Sequence, residues 1–125
     1  MESGHMLYGR IITAIAVLFL AFDTAIKVLV LPPALKATVD LGYPASVVFA
    51  LGAIELTCLL LYVVPRTSIL GAIALTGWLG GAVATHVRAQ SPLFSHTLFP
   101  LYVAALVWGG LYLRDARLRS LVAAR

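Results

Sequence analysis

Residues 11–31 read IITAIAVLFLAFDTAIKVLVL, with no charge before Asp23. About 20 mainly apolar residues, rising 1.5 Å each as a helix, cross the hydrocarbon core of a bilayer. Three more runs of this kind follow, at 44–64 with Glu55 in its middle, at 69–87, and at 93–113. The first reads as a span and not as a cleaved leader, because its apolar stretch is long and no small-residue cleavage site follows. The expected fold is therefore all-α: an integral membrane four-helix antiparallel bundle, its sequential helices forced side by side by short links.

Composition agrees. Of 125 residues, 62% are hydrophobic and only 11% charged, with a mean hydropathy of +1.01. Soluble domains carry about 45–50% apolar and about 25% charged residues. A soluble chain this small would lack the polar groups to cover its surface. Disorder is excluded as well, since it needs low hydrophobicity and high net charge.

The link at 32–43 has a pattern of its own. Pro32-Pro33 opens a helix, Ala34, Leu35, Thr38, Val39 and Leu41 form an apolar side, Lys36 and Asp40 make an i,i+4 pair, and Gly42 and Pro44 end it. It reads as a short amphipathic helix on the membrane surface. The link at 64–68 is tight, with Thr67 or Ser68 available to cap the next helix. Residues 1–6 have the look of a cloning scar with Met6 as the native start, so Glu2 and His5 stay outside the functional argument. Residues 7–113 then form a single membrane domain and 114–125 a basic cytoplasmic tail.

A net charge of +4 invites a nucleic-acid reading, but the basic residues form no patch interleaved with aromatics. They mark topology instead. Arg10, Arg66, Arg114, Arg117, Arg119 and Arg125 fall on one side of a four-span chain, against Lys36, Arg88 and the helix-end Lys27 on the other. That places both termini in the cytoplasm and the protein in the plasma (inner) membrane. Tyr8, Tyr43, Tyr62, Phe94 and Tyr112 suit an interfacial aromatic belt. The single cysteine, Cys58, excludes an intrachain disulfide or a thiolate metal site and reads as a packing residue.

The remaining charges carry the functional signal, since a charge near the bilayer centre costs at least about 2.5–3.5 kcal/mol. Depth counted along each helix gathers Asp23, Lys27, Glu55, His86, Arg88 and His96 in the outer half of the bundle, while the inner half is nearly pure hydrocarbon. Asp23 and Lys27 share a helix face; alone they form a self-neutralising pair. Glu55 has no cation within a turn of its own helix, so it is protonated or meets a group from another helix. The candidates for ligand binding or proton exchange are Asp23, Lys27, Glu55, His86 and Arg88, joined by His96, Tyr43 and Thr85. His86 and His96 could ligate a haem or a metal, but without a supporting motif they read first as ordinary interfacial histidines. Gly71, Ala74, Gly77, Gly80, Gly81 and Ala84 form a smooth face along 69–87, read first as packing within the bundle and second as a homodimer contact.

The order of these features resembles the DoxX-like family of small four-helix membrane proteins. Asp23-Thr24-Ala25-Ile26-Lys27-Val28-Leu29 closes the first helix, Leu41-Gly42-Tyr43-Pro44 introduces the second, and Leu51-Gly52-Ala53-Ile54-Glu55-Leu56 carries its glutamate. Pro65-Arg66 then opens a glycine- and alanine-rich helix ending in His86. The resemblance extends from Tyr8 to Leu113; Thr57 and Cys58 depart from the more glycine-rich family pattern after the glutamate. It implies a place in membrane redox chemistry, since the family takes its name from a membrane subunit of a thiosulfate:quinone oxidoreductase, and other relatives are partners in redox complexes or assembly factors. Lys27 and Glu55 match the family pattern, with His86 a looser match. Three functions stay open. The first is a quinone- or small-lipid-binding subunit or partner of a membrane redox complex. The others are a non-enzymatic membrane chaperone or interaction protein, and a small enzyme using Glu55 as acid/base on a hydrophobic substrate. A transporter would want polar groups on both sides of the midplane.

Overall fold

The computed structural model describes residues 2–123, so Met1 of the expected scar and Arg125 of the topology count lie outside the described residues. Every regular element among the described residues is helical. The order is α1 (Glu2–Val28), α2 (Pro32–Asp40), α3 (Val48–Val63), α4 (Ser68–Arg88), α5 (Phe99–Arg114) and α6 (Ala116–Ala123). Short 3-10 turns, Ala45–Val47 and Pro65–Thr67, lead into α3 and α4, and a single π-turn, Leu93–Thr97, leads into α5. Four segments, Gly4–Val28, Ala45–Val63, Pro65–Arg88 and Leu93–Arg114, are long and apolar enough to cross a membrane.

The four long helices close a ring: α1 packs on α3 and α5, and α4 packs on the same two. Ala16 and Leu20 of α1, Cys58, Leu59 and Tyr62 of α3, Ala72, Leu75 and Leu79 of α4, and Val103, Val107 and Leu111 of α5 fill the centre. Cys58 is thus the packing residue expected of it. Outside the ring, Leu18, Phe22, Phe49, Ile73 and Leu101 are exposed, as side chains meeting hydrocarbon should be.

Glycine sets the closest approaches. A Cβ at Gly71 would collide with the backbone of Tyr62, so α3 and α4 touch there main chain to main chain. Gly9 and Gly110 do the same for α1 and α5: a Cβ on Gly9 would lie 2.9 Å from the Gly110 carbonyl oxygen. Further along, Phe19 meets Phe99 edge to face at 5.1 Å.

The structure revises the sequence reading at four places. The first span stops at Val28, not Leu31. Pro32 bars Leu31 from helical geometry (ψ 153°), so the chain turns through Val30 in the left-handed region (φ 52°). Leu31 N–H then bonds Ile26 O and Val30 N–H bonds Lys27 O, the paired closure of a Schellman motif, with valine where glycine is usual. Thr67 and Ser68 do not cap α4 through their side chains. Their hydroxyls donate backwards, Thr67 to Leu61 O (2.7 Å) and Ser68 to Tyr62 O (2.9 Å), satisfying carbonyls left over at the end of α3.

Tyr62 leaves the expected aromatic belt. It is fully buried, with its hydroxyl donating to Val107 O at 2.7 Å. Finally, the basic tail is not featureless: residues 116–123 form α6, anchored by buried Leu118. Asp115 is its N-cap, in extended geometry, with Oδ1 accepting from the backbone N–H of Arg117 (2.8 Å) and of Leu118 (3.4 Å).

Hydrogen bonding from Arg117 holds the Asp115 carboxyl below the usual aspartate range. The cap therefore contributes fully at neutral pH and is lost only as pH falls through that lowered value, below about 3.9. Asp115→Ala should loosen α6 by about 1 kcal/mol, seen as several-fold faster tryptic cleavage after Arg117 and Arg119 at neutral pH. Val30→Gly should raise the thermal midpoint, since it removes about 1–2 kcal/mol of left-handed strain from an exposed position.

Candidate functional site

Gly52 is the origin of the site. A Cβ at this position would lie 2.8 Å from Lys27 Cβ and 2.8 Å from Val28 N, so its absence lets α1 and α3 cross closely. One turn further along α3, Glu55 faces the same crossing. The Lys27 ammonium donates to Glu55 Oε1 at 3.2 Å and to an Asp23 carboxylate oxygen one turn back on α1. Two carboxylates thus share one cation.

Exposure is graded along the triad. The Asp23 side chain is 30% exposed, Lys27 17% and Glu55 0%. Lys27 also stands over the Trp78 ring, 5.3 Å from its centroid. Glu55 Oε2 is buried with no hydrogen-bond partner. A buried carboxylate oxygen without a donor is rare in a native interior.

Glu55 also borders a cavity of about 320 Å³ between α1, α2, α3, α4 and α5. Asp23, Lys27 and Glu55 line it, together with Tyr43, Thr85 and His86. The Tyr43 and Thr85 hydroxyls are hydrogen-bonded at 2.8 Å, and His86 Nδ1 lies 2.9 Å from the Ser91 hydroxyl. Phe19, Trp78 and Phe99 supply aromatic walls, and Leu20, Leu51, Leu79 and Val103 aliphatic ones. A few convergent polar groups in a mainly apolar concavity of this size is the usual make-up of a small-molecule site.

Six of the eight candidates from the sequence border this one cavity, and two do not. Arg88 reaches across to the carbonyl of Leu41, tying the end of α4 to the end of α2. Gly42, at φ 100°, leaves room for the guanidinium, which a Cβ there would meet. His96 stacks edge to face on His86 with ring centroids 6.0 Å apart, and bonds Ser95 at 2.7 Å. No cluster of three or more metal-ligating side chains exists among the described residues.

Sequence reasoning missed Trp78, Phe19 and Phe99, which as apolar residues in apolar spans carried no signal of their own. It also read the glycines of 69–87 too uniformly. Only Gly71 is packed within the chain; Gly77, Gly80 and Gly81 have nothing within 4 Å of a would-be Cβ, and Gly77 and Gly81 border the cavity.

Gly52 and Gly80 make a paired test. Gly52→Ala should cost about 1–3 kcal/mol by forcing two backbones apart, lowering the thermal midpoint in detergent. Gly80→Ala, in open space, should leave the midpoint unchanged or raise it through helix propensity.

The comparisons with curated proteins and with solved structures return no match. The model of the DoxX-like family matches residues 11–110, which takes in the Lys27–Glu55 crossing, the cavity, the second and third apolar spans and most of the first and fourth. By that match, over most of its 125 residues, the chain belongs to the DoxX-like family.

Proposed function

We propose that this multi-pass membrane protein binds a quinone or small-lipid headgroup in the Lys27–Glu55 cavity, as a subunit or partner of a membrane redox complex. In this reading the chain is an antiparallel bundle in the plasma (inner) membrane with both termini cytoplasmic. The excess of arginine on that side and the short links support this arrangement. α2 lies along the outer interface, where its exposed Lys36–Asp40 pair (2.9 Å) meets water. The cavity then sits in the outer half of the bilayer.

The observation that carries the reading is Glu55: fully buried, tied to Lys27 through Oε1, unpartnered at Oε2, and among the residues bordering a cavity with aromatic walls. A ring hydroxyl is the donor that Oε2 lacks, and a ring carbonyl accepts from the hydroxyls of Tyr43 or Thr85 or from His86. The apolar lining takes the ring faces and the first part of a tail. When such a quinol is oxidised, two electrons pass to the partner complex and two protons leave the ring oxygens. Glu55 accepts each proton in turn, and Asp23, on the exposed side of the shared ammonium, passes it outward. A carboxylate that exchanges protons beside a fixed cation in a dry pocket is a workable acid–base arrangement.

Short-chain quinones quench nearby tryptophan, and Trp78 lines the cavity. Titration of the detergent-purified protein with a short-chain ubiquinone should give saturable quenching. The matching ubiquinol, the form that carries a ring hydroxyl, should displace it, and Glu55→Gln should weaken that displacement about tenfold or more, the scale of a lost charged hydrogen bond, with an unchanged elution volume and helical circular dichroism. Unsaturable quenching identical in wild type and variant would sink the proposal.

A second reading, an interaction protein that holds another membrane helix or a second copy of itself, draws on the open face at Gly77, Gly80 and Gly81. Gly80 does not line the cavity, so Gly80→Leu separates the two. It should abolish in-membrane cross-linking to a partner under this reading and leave quinone quenching intact.

A further inference from the structure

A second cavity, of about 430 Å³, lies at the other end of the bundle, between α1, α5 and the α3–α4 turn. The two cavities share no lining residue, and Arg10 and Lys27 are separated by about 26 Å along α1 at 1.5 Å per residue. Two guanidinium groups from different helices line this one, Arg10 and Arg114, with the Thr13 hydroxyl beside them. Its walls are apolar, Val17, Val63 and Pro65 among them, and none of its lining residues is acidic.

Arg114 is held in place. Its Nε donates to Thr13 Oγ1 at 2.8 Å, and its guanidinium carbon stands 5.4 Å from the centroid of the Tyr62 ring. Tyr62 is in turn fixed by its bond to Val107 O. Yet one Nη is buried without an acceptor, and among the described residues neither Arg114 nor Arg10 lies within 4 Å of a carboxylate. Asp115, next in the chain, is taken up by Arg117 and the α6 cap. A preorganised arginine bonded to the Thr13 hydroxyl and a second, exposed arginine on the facing helix match the oxygens of a phosphate group. The apolar walls leading away suit the chains of a lipid.

We infer that this cavity is a phosphate-binding site, in which Arg10, Thr13 and Arg114 hold a phosphate group such as that of an anionic phospholipid. The inference stands apart from the quinone proposal and needs none of its residues. Arg10 is the adaptable arm, being exposed, and Arg114 the fixed one.

The test is calorimetric titration of the detergent-purified full chain with three probes: dioleoylphosphatidylglycerol, dioleoylglycerol and inorganic phosphate. The phospholipid should bind saturably and the diacylglycerol should not. Arg10→Gln, at an exposed position that the fold does not need, should weaken phospholipid binding about tenfold. Arg114→Lys keeps the charge but loses the fork and should weaken it as well, while Arg66→Gln, outside the cavity, should not. Phosphate that binds and competes identifies free phosphate as a sufficient ligand; phosphate that does neither assigns the site to the lipid. Either supports the site. Equal binding of diacylglycerol and phospholipid, or affinity unchanged in both Arg10→Gln and Arg114→Lys, overturns it.

Discussion

A carboxylate with no exposure, in a helix with no cation of its own, is the constraint on which the rest of this structure depends. Glu55 can stay ionised in an apolar interior only if another helix delivers a positive charge to it, because desolvating an unpaired carboxylate is prohibitive. Lys27 delivers it, and can do so because Gly52 lets α1 come within backbone contact of α3. The ion pair thereby sets the register between these two helices. Asp23, four residues before Lys27, is carried into the same cluster by helical periodicity alone.

The bundle treats its small residues in two opposite ways. At Gly71, and at the Gly9–Gly110 crossing, the missing side chain is filled by the backbone or side chain of a neighbour, and helices are drawn together. At Gly77 and Gly81 the missing side chain is left as space, and both residues line the cavity together with Glu55 and Trp78. Composition cannot distinguish these cases. Which one holds depends on whether a neighbouring helix passes that face, and the ring of four contacts decides that.

The two ends of the molecule follow the same physical rule with different outcomes. At one end a buried anion is answered by a lysine and leaves one oxygen unpaired. At the other, a buried guanidinium is answered by a hydroxyl and an aromatic face, leaving one nitrogen unpaired. An apolar interior tolerates few such orphans; Thr24 Oγ1 is a third among the described residues, and it lines neither cavity. Tyr62 shows how tightly this is arranged: its backbone packs on Gly71, its ring meets Arg114, and its hydroxyl meets α5.

Much of this was legible in the sequence. Four apolar runs and a low charge count determine a membrane-spanning all-helical chain, because lipid leaves the backbone no partner but itself. Pro32, Gly42 and Pro44 predict α2, and the cost of a lone intramembrane glutamate singles out Glu55 before any contact is known. The sequence even implies that an ionised Glu55 needs a partner from another helix, without saying which. Tertiary structure alone decided that the partner is Lys27, that Tyr43, Thr85 and His86 share the cavity while Arg88 and His96 do not, and that Tyr62 and Arg114 face inward. The physical reason is that charge and hydropathy are properties of one residue, readable one at a time. A cavity or an unpaired atom belongs to the rotation of several helices about their axes, which in apolar spans is set by close packing and leaves little mark on hydropathy.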